Sequence, residues 1–458
     1  MTNFGIGGEV IASKIENLPL AHFAERMAFS AANAALILAV ALLLAGCSGA
    51  RLLMPTPNVH LNPERDYFAA LAPELKSSEV PLFYITDRGP EKDEAGNLRY
   101  GYERSASLAF GKAVVDLGAN NITWEELVEA SRTQRRLKPV KLELRGLEEV
   151  GRGPEVPLPY RQVGNRIVEE PSLVAQRTEA QQAFHRVMAR QLELTPRKEV
   201  FIYVHGYHNQ FEDAAFAMAE LWHFLGRVGV PIVYTWPAGH PGLFGYTYDR
   251  ESSEFTVYHL RRVLELLASF PEVEKIHLIG HSRGTDVVVD AVRELTIAAR
   301  AKGLDPRKKY KIHNLILAAP DLDLQVATQR IIGDQLAYSV NRFTIYTSPK
   351  DKAIGIASRL FASPRGRVGT FGIDDLSGVA QASLEYGTAN LALVVFPGAT
   401  GTTPSQGDRF GHAYFRNAPT VASDVVLTLR DDLDPGTPGR PLEPIGPHFW
   451  AVPPNYPR

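Results

Sequence analysis

Residues Lys275 to Gly284 read KIHLIGHSRG. Lys275 to Gly280 is a short aliphatic and β-branched run, which predicts a buried strand, and Thr285 to Ala301 has helical spacing. Between them stands Gly280-His281-Ser282-Arg283-Gly284, a G-x-S-x-G pattern. A serine at the turn from a strand into a helix must leave ordinary backbone space, and the flanking glycines remove side chains that would clash there. Such a turn lifts the hydroxyl above the carboxyl end of a sheet, where α/β sheets bind ligands. The helix N-terminus also sets backbone N–H groups beside any negative charge that develops. The pattern alone is short enough to arise by chance; the strand before it and the helix after it make it specific.

Outward from this turn the chain alternates regularly. Strands are expected at Val200 to Val204, Val230 to Thr235, Ile312 to Ala319, Arg342 to Thr347 and Leu391 to Phe396. Helices are expected at Phe211 to Val228, Glu254 to Ala268, Lys352 to Phe361 and Val421 to Leu429. Strands alternating with helices imply a parallel sheet covered on both faces. The expected fold is therefore α/β: a doubly wound, mostly parallel sheet over residues 195–432. Residues 79–194 form an N-terminal β-rich extension, with strands at Val80 to Thr86, Ser107 to Val115 and Lys141 to Leu147, a Gly- and Pro-rich loop over 151–165, and a helix at Pro171 to Leu194. Residues 47–78 read as a tether and 433–458 as an extended, Pro-rich tail.

A serine hydroxyl needs a base within hydrogen-bond reach and an acid that orients the base. When a strand-to-helix serine serves as nucleophile, the acid follows it in the chain and the histidine comes last. Asp351, after the strand ending at Thr347, is the preferred acid; Asp321, after the preceding strand, is the alternative. Downstream of both stand His412 and His448. His412 follows the last expected strand and is preferred to His448 in the tail. An oxyanion needs two donors. The backbone N–H of Arg283 is one candidate and that of Tyr207, in Val204-His205-Gly206-Tyr207, the other. Gly206 permits a tight turn, His205 reads as a residue that holds the loop, and Trp236 with Pro237 as a pocket wall. No ligand spacing for a metal, no phosphate-binding loop and no dinucleotide fingerprint is present, so no cofactor is implied. The net charge of −2 on 458 residues gives no reason to expect nucleic acid as a partner.

The single cysteine, Cys47, excludes an internal disulfide. It follows an apolar run, Ala34 to Leu44, preceded by Lys14 and Arg26, in the order of a signal peptide. Leu44-Ala45-Gly46-Cys47 resembles a bacterial lipobox, which implies cleavage before Cys47 and lipid on its thiol. Residues 1–46 are then a signal peptide, or 1–26 a mis-assigned start before Met27. An uncleaved membrane anchor is the alternative. Either reading places the rest of the chain in the cell envelope, and Ser48 after the cysteine points to the outer membrane.

Tyr84-Ile85-Thr86-Asp87-Arg88, His205-Gly206-Tyr207-His208-Asn209 with Phe211-Glu212-Asp213-Ala214, Thr235-Trp236-Pro237, the turn at Ser282, Ala319-Pro320-Asp321, Asp351, and His412 with Tyr414-Phe415 together resemble an uncharacterised family of bacterial α/β hydrolases, over residues 80 to 430. Its members are described mainly as esterases or lipases. The resemblance implies the α/β-hydrolase fold, the triad Ser282, Asp351 and His412, and a small ester or lipid as substrate. A non-catalytic binding scaffold on the same fold, and an acyltransferase or peptidase using the same triad, are the rival readings. The long stretches 151–165 and Gly398 to Asp408 depart from the family pattern.

Overall fold

A computed structural model of the chain describes residues 51–457 except 243, 361, 362, 364, 373, 374, 376–389 and 399–409. Cys47, the apolar run before it and most of the stretch Gly398 to Asp408 lie outside the described residues. Every element below belongs to one compact unit, residues 49–240 with 244–458; the second unit, 1–48 with 241–243, lies almost wholly outside the described residues.

The strands are β1 (Glu79–Lys92), β2 (Leu98–Asp116), β3 (Glu143–Arg152), β4 (Tyr160–Val163), β5 (Arg166–Glu169), β6 (Glu199–Val204), β7 (Val230–Thr235), β8 (Lys275–His281), β9 (Ile312–Ala318), β10 (Arg342–Thr347), β11 (Leu391–Val395), β12 (Glu443–Gly446) and β13 (Phe449–Ala451). An 11-stranded sheet runs in the order β12-β13-β11-β10-β9-β8-β6-β7-β1-β2-β3. From β1 through β13 the neighbours are parallel, with Tyr203 opposite Ile279 and Tyr346 opposite Ala318. Strands β2, β3 and β12 continue the edges in antiparallel fashion.

Every residue of β6 is buried, and the two-residue period of a strand divides them between two cores. Phe201 and Tyr203 join Ile279, Ile316 and Val394 against the helices Phe211–Phe224 and Pro419–Leu429. Val200, Ile202 and Val204 join Leu278, Leu315 and Leu393 against the helices Pro171–Glu193, Gly245–Ser269 and Gly284–Ala301. After β6 the chain goes to β7 on one side and returns to β8 on the other. The strand order therefore reverses at β6, the switch point beyond whose carboxyl end such sheets bind ligands.

Four segments differ from expectation. Residues 51–78 are not a tether: Leu53, Met54, Val59, Tyr67 and Phe68 are buried in the same core as the Phe211–Phe224 helix. The buried Glu220 of that helix accepts from the Met54 N–H and pairs with Arg51 at 3.0 Å. The segment runs through short 3-10 turns, Asn58–Leu61 and Pro73–Leu75, so its apolar residues have no period to read. The tail does not merely extend: it supplies β12 and β13, with Phe449 beside Leu393. Pro444 is tolerated because β12 is an edge strand. Within 151–165, expected to be loop, β3 ends and β4 begins a hairpin with β5, turned at Gly164 with φ 60°. The helix Gly245–Ser269 starts well before the expected Glu254.

The tail is pinned through a fully buried ion pair. Arg440 donates to both carboxylate oxygens of Asp424 at 2.9 and 2.7 Å, and the hydroxyls of Tyr346 and Tyr456 also reach that carboxylate. Removing one partner of such a pair strands the other charge in the core, which costs about 3–5 kcal/mol. We predict that Arg440→Ala lowers the unfolding free energy in urea by about that amount; a loss under about 1 kcal/mol would show that the tail is not held this way.

Candidate active site

Ser282 occupies the turn between β8 and the Gly284–Ala301 helix with φ 53°. A left-handed backbone at a non-glycine residue costs on the order of 1–3 kcal/mol and persists only where its surroundings fix it. Here they do. The Ser282 N–H donates to Ala318 O at 3.0 Å, and its carbonyl accepts from the N–H groups of Thr285 at 3.1 Å and Asp321 at 3.3 Å. The Thr285 hydroxyl adds a third bond at 2.6 Å. The glycines of the motif are steric necessities. A Cβ on Gly284 would stand 2.2 Å from His205 O and 2.6 Å from Val204 O, and one on Gly280 3.1 Å from Thr285 Cα. Gly206 faces the serine from the β6 loop, where a Cβ would come within 2.6 Å of Ser282 Cβ. Ser282 itself is 7% exposed.

Asp351 lies just beyond β10 and is buried. Its two oxygens do different work. Oδ1 accepts from the Ile354 N–H at 3.1 Å and so caps the Lys352–Leu360 helix, while Oδ2 lies 2.7 Å from His412 Nδ1. With Nδ1–H given to the acid, Nε2 is the basic nitrogen of the ring. The His412 ring centroid is 4.9 Å from that of His281, the residue before the nucleophile, and His281 Nε2 lies 3.4 Å from His412 O. The alternatives are engaged by other partners. Asp321 is occupied by Arg367 Nη1 at 2.5 Å and by the Tyr246 hydroxyl at 3.3 Å. His448 sits between β12 and β13 with Nδ1 on Leu391 O at 3.1 Å.

The two backbone donors expected for an oxyanion are Tyr207 N–H and Arg283 N–H. Among the described residues neither donates a hydrogen bond within the protein. The guanidinium of Arg283 is committed to Asp286 at 2.6 Å and to the Ser253 hydroxyl at 3.1 Å. His205 sets the peptide that carries the Tyr207 N–H: its Nδ1–H donates to Gly206 O at 2.9 Å. In a trans peptide a held carbonyl turns the N–H the opposite way. The tautomer is dictated by His205 Nε2, which accepts from the Trp236 N–H at 3.0 Å with Arg88 Nη2 at 3.2 Å. Burial, with the neighbouring Arg88 charge, drives the His205 pKa well below the imidazole range, so it is a neutral loop holder.

Trp236 corrects an expectation. It is 0% exposed, stacks on the His205 ring at 5.0 Å and donates Nε1–H to His205 O at 2.7 Å. It supports the loop that carries His205, and its full burial leaves no surface open to a ligand. Arg88 and Asp249 are two residues whose part in the site sequence reasoning did not foresee. Arg88 ends a run, Tyr84 to Arg88, that carries the family resemblance but no assigned role. Asp249 was passed over, although Asp249, Ser252, Ser253 and Thr256 make a polar stripe at helical spacing that is wholly buried. Among the described residues no group of three or more His, Cys, Asp or Glu side chains is placed to hold a metal ion, and no helix is long and apolar enough to cross a membrane.

Residues 180–430, more than half of the chain, match the family described as alpha/beta hydrolase of unknown function (DUF900), and the chain belongs to that family. The fold is the α/β-hydrolase fold. No curated protein sequence matches. Solved structures similar to the chain include esterase B from Lactobacillus rhamnosis, at 12% identity and TM-score 0.23 over 37% of this chain, which spans 62% of that enzyme's length. An esterase from Pyrobaculum calidifontis is similar at 12% identity and TM-score 0.27, over 52% of this chain and 78% of that one. One from Pyrococcus furiosus is similar at 12% identity and TM-score 0.27, over 50% and 82%.

Because Gly284 lies against two backbone carbonyls that cannot move aside, we predict that Gly284→Ala lowers stability by about 1–3 kcal/mol or prevents folding. Urea denaturation followed by circular dichroism measures this. A variant as stable as the parent would show that the β6 and β8 loops do not approach so closely.

Proposed function

We propose that the chain is a serine hydrolase that cleaves carboxylic esters through an acyl-enzyme. The observation that carries this reading is the 2.7 Å contact between Asp351 Oδ2 and His412 Nδ1, with the His412 ring 4.9 Å from that of His281, the residue before a serine held at φ 53°. Ser282 Oγ attacks the ester carbonyl carbon while His412 Nε2 takes its proton. Asp351 fixes the imidazole tautomer and stabilises the imidazolium that forms. The carbonyl oxygen becomes an oxyanion and accepts hydrogen bonds from the N–H groups of Tyr207 and Arg283. Collapse breaks the bond to the alcohol, which leaves with the proton from His412. Water then attacks the acyl-enzyme with His412 again as base, releasing the acid and restoring Ser282. The reading needs no cofactor. A small ester or a lipid is the substrate class, and the lipobox-like Leu44 to Cys47 supports attachment at the cell envelope through a lipid on Cys47.

Hydrolysis of short p-nitrophenyl esters tests the chemistry. Ser282→Ala should abolish it while the protein stays folded, and Asp351→Asn should lower kcat about 10⁴-fold, as a wrong tautomer does in other triads. Full activity in either variant would refute the assignment. Attachment is tested separately by growing cells that express the full chain with labelled palmitate. The label should enter the chain and be lost in Cys47→Ser, and an unlabelled parent chain would reject the lipid anchor.

A further inference from the structure

Two buried charges divide the backbone of the site loops between them. Asp249, 1% exposed on the Gly245–Ser269 helix, gathers N–H groups. Its Oδ2 accepts from His208 N at 3.0 Å, both oxygens lie 3.1 Å from Gly239 N, and Oδ1 lies 3.4 Å from His240 N. Arg88, also buried, gathers oxygens. It donates to Asn209 O and Ala238 O at 2.8 Å each and to the Thr235 hydroxyl at 2.8 Å. The amides come from the loops after β6 and β7, and Arg88 takes a carbonyl from each of the same two loops. The turn so held is strained at His208, a non-glycine residue with φ 59°.

A carboxylate is expensive to bury unless its lone pairs are filled. Here, among the described residues, the filling is done by the amides of these two loops. Glycine would adopt the backbone of residue 208 without strain; a histidine there needs an outside hold, and the Asp249 oxygen on its N–H supplies one. His208 follows directly on Tyr207, so a shift of this turn moves the proposed oxyanion donor. Misplacement of a preorganised donor by a fraction of an ångström is enough to weaken transition-state binding while leaving substrate binding nearly intact.

We propose that Asp249, with Arg88 as its counterpart, is a positioning residue: it clamps the Tyr207–Asn209 turn and thereby sets the Tyr207 N–H for the oxyanion. This rests on the serine-hydrolase reading and goes beyond it by assigning a role to a residue outside the triad. The test compares the full chain with its Asp249→Asn variant on p-nitrophenyl butyrate and measures inhibition by an aryl trifluoromethyl ketone, which serine hydrolases bind as a tetrahedral adduct. Outright loss of an oxyanion donor costs about 10²–10³-fold in kcat. A displaced donor should therefore cost about 10–100-fold, with KM changed less than about twofold. The inhibition constant for the ketone should rise by the same factor as kcat falls.

A change in kcat of less than about threefold, or a fall in kcat with unchanged ketone affinity, would overturn the assignment. If Asp249→Asn does not fold, Asp249→Ser carries the same measurements; failure of both to fold assigns Asp249 to stability alone and overturns the proposal. If the unaltered chain neither turns over esters nor binds the ketone, the hydrolase reading has failed and this proposal falls with it. A fully active parent with an equally active variant defeats only the role of Asp249.

Discussion

The structure depends on a contact made almost without side chains. Where β6 and β8 end side by side, Gly284 lies against the carbonyls of Val204 and His205, and Gly206 lies against Ser282. No other residue fits at either glycine without displacing backbone. This approach forces the serine into its left-handed conformation and brings the β6 loop over it. Three hydrogen bonds to the Ser282 carbonyl then hold the strained turn closed. The order of strands makes the approach possible: the chain leaves β6 toward β7 and returns to β8, so β6 and β8 lie side by side with their carboxyl ends together.

Around that contact the site is built from buried polar groups, several of them matched to partners on other elements. Asp351 caps a helix with one oxygen and holds His412 with the other. His205 is kept neutral by burial and by Arg88, and spends both ring nitrogens on loop backbone. In a medium of low dielectric such networks are rigid when satisfied and costly when broken. Rigidity of this kind is what a preorganised oxyanion site requires. The tail contributes at a distance: Arg440 and Tyr456 close on Asp424 in the Pro419–Leu429 helix. The Tyr346 hydroxyl joins them from β10, and Tyr414, two residues beyond His412, donates to Tyr346 O at 2.8 Å.

Much of this was legible in the amino-acid sequence, for identifiable reasons. Strands β7 and β10 fall where the short apolar runs placed them, because a strand buried on both faces carries an uninterrupted signal. The contact between Asp351 and His412 could be expected from their order along the chain and their place after late strands. Other parts gave no signal. Residues 51–78 pack through isolated apolar side chains in 3-10 turns, which have no period. Strands β12 and β13 are too short and proline-marked to distinguish from coil. Trp236 was misread because an aromatic at a strand end looks the same whether it faces a ligand or a neighbouring imidazole. Asp249 was missed because an acid in a helix ordinarily faces water, and only its buried hydroxyl neighbours mark this one as turned inward.

The central claim is that Ser282 is a nucleophile primed by its turn and by His412. Mass-spectrometric mapping of the adduct formed with a fluorophosphonate probe tests it most directly. The account predicts a single phosphonylated residue, Ser282, and no adduct after heat denaturation. Absence of any adduct on the folded chain, or modification of a different serine, would contradict it.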